Sequence, residues 1–162
     1  EDMLVSGVAT DKNQVRISVT ELPDRPGAAA AVFKVMAEAG VVVDMIIQNI
    51  GQDVATDFTF TVHKRDLKKT LDILNNQVKD HIKAREILSD EKIAKLSIVG
   101  VGMRSHAGVA SKMFRTLSEE GINISTISTS EIKISIILEE KALDAAVKSL
   151  HKAFELDKNI SI

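Results

Sequence analysis

The chain has 162 residues, 44% apolar and 27% charged, with a formal net charge of −2, which suits one ordinary domain or two small ones of about 75 residues. Acids and bases are interleaved, Trp and Tyr are absent, and five Phe supply all the aromatic rings, so no basic stripe or stacking platform for nucleic acid is available. The absence of cysteine excludes a disulfide scaffold, a thiolate metal site and a cysteine nucleophile, and points to a cytoplasmic location.

The start, Glu1-Asp2-Met3-Leu4-Val5, is acidic and lacks the basic n-region of a signal peptide, and opening on Glu1 rather than Met reads as an excised or trimmed segment. No run approaches the ~18 apolar residues of a membrane helix. Leu4 to Thr10 reads as a strand. Val15 to Leu22 alternates Val15, Ile17 and Val19 with polar residues, a second strand. Pro23-Asp24-Arg25-Pro26-Gly27 is a turn, rigid at both prolines. Ala28 to Ala39 is expected to be a helix carrying Val32, Phe33, Val35 and Met36 inward, with Gly40 as a left-handed stop. Val41 to Ile50 is the next strand, and Phe58, Phe60 and Val62 mark another. Lys64 to Gln77 places Leu67, Leu71 and Leu74 on one helical stripe, and Ile82 to Leu88 is expected to supply a fourth strand.

The second half repeats this order. Lys95 to Val101 is a strand, Gly102 to Gly108 a turn, Val109 to Glu120 a helix stopped by Gly121, and Ile122 to Thr129 a strand. Ile132, Ile134, Ile136 and Leu138 alternate as its hairpin partner and read as core, and Ala142 to Phe154 closes the half as a helix. Gly27 and Gly108, Phe33 and Phe114, and Gly40 and Gly121 are each 81 positions apart, which indicates a duplication. The second half lacks a fourth strand after its last helix, so the N-terminal strand is expected to complete its sheet. The expected units are therefore 14–90, and 1–13 plus 91–162, each β-α-β-β-α-β with both helices on one face of an antiparallel sheet.

Catalytic groupings are not apparent. His63, His81, His106 and His151 are scattered among polar residues and read as solvated. Gly100-Val101-Gly102 lacks the third glycine of a dinucleotide turn, and no Walker segment offers ATP a seat. Asn123-Ile124-Ser125 and Asn159-Ile160-Ser161 match glycosylation acceptors but read as incidental without a secretory signal. The turn at Asp24-Arg25-Pro26-Gly27-Ala28 reads two ways. Unpaired N–H groups at the helix start could take a carboxylate and Asp24 an ammonium, with Gly27 and Ala28 small enough to let a ligand approach. Alternatively, Asp24 caps the helix and the glycine only relieves crowding.

The Asp24-Arg25-Pro26-Gly27 turn within two ferredoxin-like repeats resembles the ACT family of amino-acid-sensing modules. Asp44-Met45-Ile46-Ile47-Gln48-Asn49, Thr56-Asp57-Phe58-Thr59-Phe60, Lys95 to Met103, and Ile127-Ser128-Thr129-Ser130-Glu131-Ile132 narrow the likeness to the regulatory region of aspartate kinases. The resemblance covers essentially the whole chain. It implies an α+β fold of two ACT domains, a chain that is not itself an enzyme and needs no cofactor, and a kinase domain lying N-terminal or on a separate subunit. It implies lysine and/or threonine as effectors bound between ACT units, self-association through paired sheets, and no nucleic-acid or membrane partner. By position it assigns Asp24, Pro26, Gly27, Ala28 and Gln48 to one wall of the effector pocket, Asn123 and Ile124 to the opposing wall, and Ser130 and Glu131 to a segment of the lysine response. The second turn departs from the pattern, reading Ser105-His106-Ala107-Gly108 without acid or proline, so two sites need not share a ligand. Other readings are an ACT pair from another amino-acid pathway enzyme and a ligand-free dimerisation module.

Overall fold

The computed structural model describes residues 5–51, 55–103 and 107–156. Leu4, the turn residues Arg104, Ser105 and His106, and the acceptor at Asn159-Ile160-Ser161 lie outside them. In chain order the elements are β1 (Val5–Asp11), β2 (Gln14–Pro23), α1 (Ala28–Glu38), β3 (Val43–Ile50), β4 (Ala55–His63), α2 (Leu67–Ile73) and β5 (Glu86–Asp90). Then come β6 (Ile93–Gly100), α3 (Ala107–Glu119), β7 (Thr126–Thr129), β8 (Lys133–Glu139) and α4 (Leu143–Ala153). Two compact units result. Asn13–Glu91 forms the first, and the residues up to Lys12 together with those from Lys92 onward form the second. Each is an α+β ferredoxin-like unit built on a four-stranded antiparallel sheet.

In the first unit the sheet order is β3-β4-β2-β5. Period-two alternation puts Val15, Ile17, Val19, Phe58, Phe60 and Val62 on the core face, where Val32 and Met36 of α1 and Leu74 meet them. Phe33 stands edge-on to Phe58 and Phe60, with ring centroids 6.3 and 5.4 Å away. α1 ends in two backbone bonds, Gly40 N–H to Ala37 O and Val41 N–H to Met36 O, both 3.0 Å. The same pair recurs after α3, where Gly121 N–H donates to Ser118 O and Ile122 N–H to Leu117 O at 2.9 Å. Gly40 and Gly121 have φ of 70° and 69°, the left-handed stops that their sequence positions suggest.

In the second unit the order is β1-β6-β8-β7, with Val8 beside Ile98 and Thr10 beside Leu96. Leu96, Ile98, Ile134, Ile136 and Leu138 pack against Met113 and Leu117 of α3 and Leu143 and Leu150 of α4. Across the sheet, Ser97 and Ser135 are buried and joined hydroxyl to hydroxyl at 2.7 Å.

Several element limits differ from the sequence reading. The last strand of the first unit is Glu86–Asp90 rather than Ile82 to Leu88. Ile82 and Ala84 are buried, but through turns: Ile82 N–H bonds to Val78 O, Ala84 N–H to Lys79 O, and Lys83 sits at φ 56°. Their apolarity reflects core contact at a helix end, not a strand. The helix expected at Lys64 to Gln77 is three pieces, a 3-10 turn at Lys64–Asp66, α2, and a π turn at Leu74–Val78. β7 begins only at Thr126, because Ile122 is engaged in capping α3. Ile132, expected in the core, is 58% exposed in the hairpin turn before β8.

Candidate functional site

β4 is antiparallel to both neighbours, so β2 and β3 run parallel and end together beside its start, Pro23 against Ala55 and Ile50 against Thr56. With strands spaced ~4.8 Å, the loop leaving β2 and the end of β3 flank that start roughly 10 Å apart. The topology therefore brings Asp24, Pro26 and Gly27 to the same mouth as Gln48, all four exposed. Ala28 differs, being buried at 5% exposure within the core of the unit.

Gly27 is the N-cap of α1, at φ 94° and ψ −14°, and no side chain caps the helix. Asp24 is thus not the cap. A Cβ built on Gly27 meets nothing within 4 Å, so the glycine supplies a left-handed conformation rather than relief from crowding. Ala28 N–H leans on Arg25 O at 3.4 Å, and Ala31 N–H closes the first helical bond to Gly27 O at 2.9 Å. Helix geometry leaves the N–H groups of Ala29 and Ala30 without an intrahelical acceptor. No acidic side chain lies in the first turn to offset their partial positive charge. Arg25 points elsewhere, donating from Nη2 to His81 O at 3.3 Å.

Gln48 is oriented from below. Its Nε2 donates to Thr56 Oγ1 at 3.2 Å, and that hydroxyl donates onward to Asn49 O at 2.9 Å. Thr56 is 1% exposed, so the arrangement is anchored in the sheet. Next to it, Asp57 Oδ1 accepts the N–H of Glu21 at 2.7 Å, three residues before Asp24. Glu21 lies at φ 47°, where the pairing of β2 with β4 shifts between Val19 and Leu22. The Glu21 carboxylate in turn accepts Arg85 Nη1 at 2.9 and 3.1 Å. That hydrogen bond first, then the charges of Glu21 and Glu86, raises the Arg85 pKa. Thr56 and Asp57 are not among the residues assigned from sequence, although both lie in the Thr56-Asp57-Phe58-Thr59-Phe60 segment that carries the family resemblance.

The residues assigned in the second unit fall in two places. Asn123 and Ile124 line an open groove of about 390 Å³ with Phe114, Ser118, Gly121 and Ile122, where the chain leaves α3. Ser130 and Glu131 lie beyond the other end of β7, a four-residue strand roughly 13 Å long. Within this unit the two pairs are not brought together. Ser130 Oγ accepts the N–H of Lys133 at 3.2 Å and of Ile132 at 3.4 Å, building the hairpin turn. Glu131 O accepts Met103 N–H at 2.9 Å, which ties that turn to the one following β6. Among the described residues no group of three His, Asp or Glu is arranged to hold a metal, and no helix is long and apolar enough to cross a membrane.

Two matches to models of the ACT domain cover residues 15–78 and 96–154. The ligand-free regulatory subunit of aspartate kinase from Thermus thermophilus has the same fold, with 40% identity and a TM-score of 0.88 over 93% of this chain and 99% of that one. The chain belongs to the regulatory, ACT-domain part of the aspartokinase family. A chain from the crystal structure of aspartokinase alpha and beta subunits is 53% identical to this aspartokinase regulatory chain, with a TM-score of 0.87 over 94% of this chain and 99% of that one. The aspartokinase of Pseudomonas aeruginosa is 52% identical over 157 residues, which is 97% of this chain and 38% of that protein. The chain thus spans about 38% of the length of the curated relatives it matches.

Proposed function

We propose that the mouth of the first unit binds lysine or threonine and that the chain thereby mediates feedback inhibition of a cytoplasmic aspartate kinase. One observation carries this reading: β2 and β3 end on either side of the start of β4, so Asp24, the uncapped start of α1 and Gln48 share one exposed mouth. The Ala29 and Ala30 N–H groups take the α-carboxylate, Asp24 takes the α-ammonium, and Gln48 offers both donor and acceptor to the remaining polar group. Asn123 and Ile124, in their own groove, and Ser130 with Glu131 are assigned to effector response from the family resemblance. No cofactor enters this scheme. The reaction belongs to the kinase domain or subunit, which transfers phosphate from ATP to the aspartate carboxyl group.

Inhibition requires that the effector bind one state of the assembly better than another, typically by ~1–3 kcal/mol. A self-associating arrangement suits this. The edge strand β3 and its approach expose Val42, Ile46 and Ile50, which supports pairing with another copy.

Thermal unfolding with lysine, threonine, both, and a panel of other amino acids tests the reading. Ligand at a hundredfold excess over Kd adds ~2.7 kcal/mol, a rise of roughly 5–10 °C. A selective rise with lysine or threonine is expected. A rise with an unrelated amino acid instead would assign the chain to another pathway's sensor, and no rise with any would leave a dimerisation module.

A further inference from the structure

We infer that Thr56-Asp57 at the start of β4 is a brace that positions both arms of the first unit's mouth, an inference that rests on the effector reading for its functional consequence. The two residues are adjacent in a strand, so their side chains leave opposite faces of the sheet. Each holds a different arm. Thr56 accepts from Gln48 Nε2 and donates to Asn49 O, fixing the end of β3. Asp57 takes the Glu21 N–H at 2.7 Å, fixing the bulge that precedes Leu22 and Pro23, the last residues of β2, and Asp24 beyond them.

The need for the second tether follows from comparing the two units. Ile17 pairs with Phe60 and Ile98 with Ile134, so β4 corresponds to β8 at an offset of 74 and Thr56-Asp57 to Ser130-Glu131. Glu21 corresponds, 81 positions on, to Gly102, and both have positive φ, 47° and 68°. In the second unit a glycine occupies the left-handed position and adopts it without strain. In the first unit a glutamate does so, in a region that L residues with a side chain rarely adopt. Something must hold it there, and the short charge-assisted bond from Asp57 is placed to do so. The Glu21–Arg85 ion pair is the weaker contributor, since both side chains are more than half exposed, at 55% and 66%. A hydroxyl followed by an acid thus stands at the same place in both units, and the pair in the second unit is the one that the family resemblance links to lysine response.

The test is hydrogen exchange of the 162-residue chain without ligand, together with calorimetric titration with threonine and lysine. In Asp57→Ala, exchange across residues 20–27 should quicken about tenfold while α3 and α4 are unchanged, and affinity for the bound amino acid should fall about tenfold. Asp57→Asn, which keeps an acceptor oxygen, should retain most of the protection. Adding Glu21→Gly to Asp57→Ala should restore protection and affinity in part, because glycine holds positive φ unaided; a general loss of stability would not be rescued this way. Thr56→Val should weaken titration with little change in exchange over 20–27. Unaltered exchange at 20–27 in Asp57→Ala overturns the brace, and unaltered affinity in both Asp57→Ala and Thr56→Val overturns its link to the mouth. Wild-type chain that binds neither amino acid would instead refute the effector reading, and the exchange result would still decide the brace.

Discussion

Replacing glycine by alanine at two positions 81 apart should change stability in opposite directions. Gly27 and Gly108 occupy the same place in the repeat, and a Cβ on either meets nothing within 4 Å, so neither substitution creates a clash. What differs is the backbone. Gly27 sits outside α1 at φ 94°, whereas α3 starts at Ala107 and holds Gly108 within its first turn. An L residue in the left-handed region costs ~1–2 kcal/mol, only partly offset by the ~0.4–1 kcal/mol gained from a stiffer unfolded chain. Gly27→Ala should therefore destabilise the first unit by about 1 kcal/mol. Gly108→Ala should stabilise the second by up to ~0.5–1 kcal/mol, because alanine loses less backbone freedom than glycine on entering a helix. Calorimetry would read each as about 4–8 °C per kcal/mol if the units unfold separately, or about 2–4 °C if they unfold together. A Gly27→Ala protein as stable as the parent, or a Gly108→Ala protein less stable, would refute the assigned backbone conformations and with them the placement of the α1 amides.

Other substitutions probe buried positions in the two units. Ser97→Ala leaves the buried Ser135 hydroxyl without its 2.7 Å partner and should cost ~1–3 kcal/mol in urea unfolding, while Ser97→Ala with Ser135→Ala should recover much of it. Thr70 is fully buried and its Oγ1 has no hydrogen-bond partner among the described residues, so Thr70→Val should stabilise by about 1 kcal/mol in the same assay. Leu74→Ala removes a fully buried side chain from the first unit and should cost ~2–5 kcal/mol; a cost below 1 kcal/mol would contradict the packing described.

The sequence was most readable where one side of an element is buried. Val15-Ile17-Val19 and Phe58-Phe60-Val62 alternate because the sheet has one covered face, and the glycine stops at Gly40 and Gly121 follow from the left-handed turn that ends each helix. Reading failed where apolar residues serve turns. Ile82 and Ile122 look like strand residues, yet each is committed to backbone bonds at a helix end. Ile132 continues the alternation of β8 by sequence but lies in the turn, whereas Ile137, off that alternation, is fully buried. At the site, the sequence displayed the turn at Asp24 and the family resemblance supplied Gln48, but neither showed what holds them. Thr56 and Asp57 act through strand neighbours 8 and 36 residues away, and the strained φ of Glu21 has no signature in residue type. The family resemblance supplied Asn123, Ile124, Ser130 and Glu131, and the length of β7 is what separates them into two groups.

The most direct test of the central claim is calorimetric titration of the chain and its Asp24→Ala variant with threonine and with lysine. Saturable binding of one of them to the parent, weakened at least tenfold by Asp24→Ala while the unliganded melting temperature holds, is the expected result. Equal affinity in parent and variant would remove Asp24 and the start of α1 from the site, and no binding of either amino acid to the parent would contradict the sensing role itself.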